Sequence, residues 1–372
     1  MANADDYSIE VLDNTDAFGG VGDAWRRLER AANTANITAS FDWLRVWWSV
    51  FAKREDNRIG YNKQLRILMV RRAGELVAIV PLVRLQRRKF LVRVTFIEFL
   101  GQQWCGLFLD FVTAEPGPAL TQAVLQWLAA HERYDVLHWA YLPEYTRTVD
   151  LQDSDVSLLS ACPIVRAARY EDYAAYAKAM HSKNYRKHIR RIHRALEEGG
   201  RTWSFEAMAP ADQHFDEIEA LSKSKQKDGK RSVYANADMA RFFRLAATTL
   251  PSDLEMLQID GRAAAYRLGF SYGGGLLSFD TSYDRALRDY SPGHLVRIES
   301  LRRFFDEGRY AFHCAGTGID EHKHNHYDEV IKIYSHIRPG NTLLGRLVAR
   351  RLQHQARQIA ARVEAELAGN TA

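Results

Sequence analysis

One pattern occurs twice in this chain: two apolar runs joined by a short glycine turn, preceded each time by an aromatic-rich stretch with helical spacing. The first copy reads Leu65-Arg66-Ile67-Leu68-Met69-Val70, then Arg72-Ala73-Gly74-Glu75, then Leu76-Val77-Ala78-Ile79-Val80-Pro81-Leu82. The second reads Leu254-Glu255-Met256-Leu257-Gln258-Ile259, Asp260-Gly261-Arg262, and Ala263-Ala264-Ala265-Tyr266-Arg267-Leu268-Gly269-Phe270. Apolar runs bounded by a glycine that accepts positive φ predict a β-hairpin in each copy. The stretches before them, residues 41–51 and 239–247, predict helices, so the order helix, hairpin, further strands recurs and points to two related α/β units. Length agrees, because 372 residues exceed what one core usually holds.

Boundaries follow from composition. Residues 148–166 are acidic and turn at Cys162-Pro163, which predicts the connection between an N-terminal half, 1–165, and a C-terminal half, 166–340. A last segment, 341–372, has Leu344, Val348, Leu352, Ile359 and Val363 at helical spacing among arginines, and predicts a basic amphipathic helix docked on the body, on a partner or on a membrane surface. Apolar residues at 47% and charged residues at 26% exclude a disordered or fibrous class. Three scattered cysteines, Cys105, Cys162 and Cys314, argue against a disulfide framework and a cysteine zinc site. With no leader-like N-terminus and no run of the ~18 apolar residues that a membrane span needs, a cytoplasmic protein is expected. The net charge of +5 favours an anionic partner without selecting one.

Two segments concentrate positive charge. Over residues 181–198, Tyr185, Ile189, Ile192 and Leu196 fall on one helical face while Lys183, Arg186, Lys187, Arg190, Arg191 and Arg194 fill the others. Residues 223–231 carry five more cations. Few aromatics are interleaved, so solvated faces or small-phosphate sites are expected before nucleic acid.

The segment that carries chemistry lies between Gly275 and Gly316 and reads strand, loop, helix, strand. The loop ends in Ser291-Pro292-Gly293 where the helix begins. Ser291 is expected to cap it, Pro292 suits its first position, and Gly293 lets a ligand approach the backbone. Free N–H groups and the helix dipole then favour a pyrophosphate.

This stretch, Tyr283-Asp284 through Ser291-Pro292-Gly293-His294-Leu295, with Glu307-Gly308 and Gly316-Thr317-Gly318-Ile319-Asp320-Glu321-His322-Lys323, resembles the CelD-like, cellulose-biosynthesis branch of GNAT acetyltransferases. That branch is in turn similar to the FemAB aminoacyltransferases. Weaker matches at Phe41-Asp42-Trp43-Leu44, Val80-Pro81-Leu82, Phe99-Leu100-Gly101 and Leu196-Glu197-Glu198-Gly199-Gly200 extend the resemblance over most of residues 35–330. The sequence departs from the family at His313, where an aspartate is usual, and at His322, where a tyrosine is.

The resemblance implies an α/β (α+β) fold of two tandem GNAT-like halves with mixed sheets flanked by helices. It implies an N-acyltransferase that passes an acyl group from acetyl-CoA or another acyl-CoA to an amine, such as an amino sugar or polysaccharide precursor. The cofactor seat would be Ser291, Pro292, Gly293, His294 and Leu295, with Lys323. His313 is the first choice of base, Asp284 the second, and Tyr327 or Lys323 would protonate the thiolate. Oxyanion donors would come from backbone near Ser278 and Phe279. The half with no phosphate loop of its own, having only Gly101 to Gly106 around Trp104, would serve as scaffold or acceptor wall. No metal is expected, the alternating His322, His324 and His326 reading as surface residues. Two alternatives stand: an aminoacyl-tRNA donor, read by the basic segments, and a non-catalytic protein that binds a partner through its last helix.

Overall fold

The computed structural model describes residues 3–225, 232–318 and 326–369. Two compact units are present, one of residues 1–161 with 331–372, the other of residues 162–330. The elements run β1 (Tyr7–Leu12), α1 (Thr15–Gly20), α2 (Gly22–Ala32), α3 (Phe41–Phe51), β2 (Tyr61–Arg72), β3 (Glu75–Lys89), β4 (Val92–Phe99), β5 (Val112–Thr113), α4 (Pro118–His131) and β6 (Val136–Pro143). Next come β7 (Val156–Arg166), α5 (Tyr173–Met180), α6 (Lys183–Glu198), β8 (Trp203–Met208), α7 (His214–Ser224), α8 (Ala237–Thr249), β9 (Ser252–Ile259), β10 (Arg262–Tyr272) and β11 (Gly275–Tyr283). The chain closes with α9 (Pro292–Glu307), β12 (Phe312–Cys314), β13 (Glu329–Pro339) and α10 (Leu343–Gly369). Among the described residues, no helix is long and apolar enough to cross a membrane.

Both hairpins form where the repeat places them, as β2–β3 and β9–β10. Each turns through two residues of positive φ, Ala73 (49°) and Gly74 (86°) in one and Asp260 (52°) and Gly261 (72°) in the other, which is the geometry that matches the twist of the flanking strands. The helices before them form as well, α3 with Ser40 as its cap and α8 with Asn236. The likeness reaches past the hairpin. In the first unit the strand order is β1-β2-β3-β4-β6-β13, antiparallel except for β4 and β6. In the second it is β8-β9-β10-β11-β12-β7, antiparallel except for β11 and β12. A helix crosses between the parallel strands each time, α4 in one unit and α9 in the other, as a parallel pair requires.

Two sequence expectations change here. Residues 156–166, expected in a connection, form strand β7, because Val156, Leu158, Ile164 and Val165 fill a sheet better than an exposed linker. Residues 341–372, set off as a last segment and expected to dock on the body, on a partner or on a membrane surface, group with the first unit: α10 packs on β6, and Gln353 donates to both Asp155 Oδ1 and the Ile337 carbonyl at 2.8 Å. Cys162 and Cys314, unrelated by spacing, are both buried, with sulfurs 2.7 Å apart.

The core of the second unit sets the position of α9. Ile192 and Leu196 of α6, Leu257 and Ile259 of β9, Ala264 and Ala265 of β10, and Leu295 and Val296 of α9 form one buried cluster. The apolar face of α6 is as expected, and its six listed cations, Lys183 through Arg194, are all exposed.

Candidate functional site

The first turn of α9 borders a cavity of about 470 Å³ lined by Lys225, Arg285, Arg288, His294 and Arg297, together with Thr281, Ser282, Tyr283, Ser291 and Gly293. Four full cations therefore surround the N-terminal end of a 16-residue helix. Their field adds to the helix dipole, so the cavity favours a polyanion.

The junction is built differently from the expectation. Ser291 is left-handed (φ 48°, ψ 50°) and makes no side-chain cap, since a capping hydroxyl reaches the first turn from extended backbone. Its carbonyl instead accepts from the amides of His294 at 2.9 Å and Leu295 at 3.2 Å. Pro292 holds the first helical position and carries no N–H, which leaves Gly293 as the first-turn amide not committed to Ser291. A Cβ on Gly293 would stand 2.9 Å from Tyr283 Cδ1, so glycine lets that ring close over the helix start. The Arg285 guanidinium lies over the Tyr283 ring, 3.9 Å from its centroid. Of the expected seat, Ser291, Gly293 and His294 line the cavity, while Pro292 is buried and Leu295 sits in the apolar core. Lys323 lies outside the described residues, as do His322 and His324.

Strand β11 leads into this cavity. Its parallel pairing with β12 stops at Leu277 and Cys314, yet β11 continues to Tyr283. On its other edge Leu268 pairs with Asp280 and Gly269 with Ser278, so Phe279 is an extra residue in a bulge. Bulges re-aim backbone groups, and this one lies where oxyanion donors were expected. Gly316, at φ 74°, presses close to the Ser278 carbonyl, 2.8 Å from where its Cβ would stand.

A buried polar cluster lies behind the cavity wall. His313 on β12 is 1% exposed, with Nε2 3.4 Å from Ser300 Oγ and Nδ1 3.3 Å from Tyr327 Oη. Burial, then the charges of Arg267 and Arg297, hold its pKa well below 6.5, so the imidazole is neutral. Burial raises the Tyr327 phenol and keeps its proton on. His326, expected on the surface, is fully buried; Nε2 lies 3.0 Å from Tyr185 Oη, which is 3.2 Å from Nδ1 of His294. Burial pushes the His326 pKa down to about 2, with Arg297 contributing. Arg297 thus lines the cavity and is also felt by His313, Tyr327 and His326.

Asp284 caps a short turn, its Oδ1 accepting from the Ala286 amide at 2.9 Å. Nearby Asp280, not singled out from the sequence, accepts from the Tyr266 hydroxyl and lies 4.0 Å from Lys225 Nζ. Burial raises its carboxyl above the ordinary value. Sequence reading missed Arg285, Arg288 and Arg297, whereas Lys225 belongs to the run 223–231 expected as a solvated face or small-phosphate site. Arg297 had a signal, since it follows Gly293 by four residues and so shares its helix face.

The equivalent crossover helix of the first unit, α4, begins at Gly117-Pro118 and not near Gly101 to Gly106. Its first turn, Pro118-Ala119-Leu120-Thr121, holds no cation.

Comparison with known proteins agrees with this division. Residues 183–324 match the family model described as an acetyltransferase (GNAT) domain. The crystal structure of FemX superposes with a TM-score of 0.58 at 10% identity, covering 91% of this chain and 100% of FemX. A conserved protein of unknown function from Bacteroides thetaiotaomicron superposes with a TM-score of 0.54 at 13% identity, covering 88% of this chain and 99% of that one. No curated protein matches the chain in sequence. At such identities the superpositions establish the fold alone: the chain shares the α/β architecture of FemX, and residues 183–324, within its second unit, match the GNAT acetyltransferase domain model.

Proposed function

We propose that the protein is an acyl-CoA-dependent N-acyltransferase whose donor phosphates sit in the cavity at the start of α9. The observation that carries this reading is the convergence of Lys225, Arg285, Arg288 and Arg297 on that helix start, beside strand β11, whose pairing with β12 stops at Leu277 among the described residues. A CoA diphosphate and ribose phosphate match four cations in charge, and we assign the acyl arm to the backbone of β11 beyond Leu277, where it continues past its pairing with β12 among the described residues. An amine then attacks the thioester carbonyl, a C–N bond forms, the C–S bond breaks, and the thiolate must gain a proton. We assign that proton to Tyr327: the attacking amine gives up its proton to neutral His313, Tyr327 protonates the thiolate, and His313, in hydrogen-bonding reach, returns a proton to the phenolate, a relay that the Tyr327–His313 contact supports. Backbone around the Phe279 bulge would stabilise the oxyanion. Asp284 is left to its turn, and the acceptor class stays the amino sugar, polysaccharide precursor or similar amine implied by resemblance.

Turnover tests this directly. Release of free thiol from acetyl-CoA should depend on an added amine, and Tyr327→Phe should lower kcat by roughly 10²-fold while donor affinity stays within twofold. Unchanged kcat would remove Tyr327 from the chemistry.

The exposed cations of α6 support a second reading, an aminoacyl-tRNA donor. Tight tRNA binding that weakens steeply with salt, together with no acyl-CoA binding, would favour it. Leu343 and Leu347, 79% and 67% exposed on α10, support the expected contact of that helix with a partner or membrane surface.

A further inference from the structure

The first unit holds a cluster that the acyl-transfer reading does not use. Asp153 and Asp155 lie in the turn before β7, His336 lies on β13, and one ligand atom from each stands within 4.8 Å of the others. His336 is 2% exposed, and neither ring nitrogen has a hydrogen-bond partner. A buried imidazole so placed is costly, because both its polar atoms have left water for nothing in return. Facing it are the carboxylates of Asp153 and Asp155, each with an oxygen within 4.8 Å of a ring nitrogen. Existing contacts answer only part of this. Arg338 Nε stands 3.4 Å from Asp155 Oδ2, Gln353 Nε2 donates to Asp155 Oδ1, and the Asp155 amide donates to Asp153 Oδ1 at 3.1 Å. None of them reaches the imidazole.

We propose that Asp153, Asp155 and His336 form a site for a divalent transition metal, zinc being the best fit. Two carboxylate oxygens and one neutral imidazole nitrogen are a borderline donor set that suits zinc and, more weakly, manganese, whereas magnesium and calcium take oxygen alone. Ligands each about 2.1 Å from a tetrahedral zinc stand about 3.4 Å apart, so atoms that lie within 4.8 Å of one another need to close by at most about 1.4 Å, most readily by movement of the exposed Asp153 side chain. The ion would join the turn before β7 to β13 and, through Gln353, to α10.

The test uses full-length, tag-free protein stripped with EDTA and titrated with zinc chloride by calorimetry and thermal melting, with magnesium chloride as control. Zinc should bind at one equivalent per chain and raise Tm, magnesium at the same concentration should not, and Asp153→Asn should weaken zinc binding by roughly tenfold or more. His336→Gln tests the buried ligand, and the exposed Asp153 variant keeps the test valid if the His336 variant does not fold. Absence of stoichiometric zinc binding, or zinc binding unchanged in Asp153→Asn, overturns the proposal.

Discussion

His313, His326 and His181 each sit in the second unit with a pKa below the ordinary 6.5, chiefly through burial. The unfolded chain binds protons at these positions as pH falls through 6.5, while the folded chain does not. Their contribution to stability is therefore complete above pH about 6.5 and shrinks as pH drops toward 4, where His181 begins to titrate in the fold. Urea midpoints measured from pH 7.5 to 4.5 should fall accordingly, and a flat profile would show that these imidazoles are more hydrated than they look. In the first unit, Glu98 is fully buried and accepts from Arg87 and from Gln103 Nε2 at 2.9 Å. Glu98→Gln leaves the Arg87 charge without its counter-ion and should cost about 3 kcal/mol or more in chemical denaturation. At this scale the sequence was only partly legible. Imidazole and phenol chemistry singled out His313 and Tyr327, but their burial and mutual contact depend on α9 and on residues 14 apart. His326 looked like surface because alternation was read with no knowledge of what covers it. Arg285 and Arg288 looked like ordinary loop charge, since nothing local reveals that both converge on Gly293.

Elements were easier to read. A glycine between two apolar runs is a local signal, and the hairpins, α3, α8 and α9 formed where propensity and turn chemistry placed them. Gly261 has open space around it but φ 72°, so Gly261→Ala should cost about 1 kcal/mol from backbone strain alone. A loss near zero would mean the turn relaxes to another type. The errors at this scale share a cause. Strand β7 was read as a connection because acidic residues and Cys162-Pro163 masked a β-rich run, and the Ser291 cap failed because capping depends on a backbone conformation that residue type does not dictate. The crossover helix α4 was sought near Trp104, since its longer loop hides its relation to α9.

For the whole molecule, the recurrence of strand order and of the one parallel pair in both units shows how far a weak repeat can be trusted when hairpin, helix and crossover recur together. The assignment of β13 and α10 to the first unit was not legible, because the chain leaves that unit at residue 161 and returns at 331. Charge distinguishes the two crossover helices: four cations line the cavity at the start of α9 while the first turn of α4 holds none, which supports the proposal of a donor site in the second unit. The most direct measurement is calorimetric titration of the full-length chain with acetyl-CoA and longer acyl-CoAs, repeated with Arg288→Glu and Arg297→Ala. These variants are preferable to a change at Gly293, where any side chain would also displace Tyr283. Micromolar binding at one equivalent, weakened at least tenfold by each variant, is the predicted result. Absence of binding by folded protein, or binding indifferent to both arginines, would contradict the account.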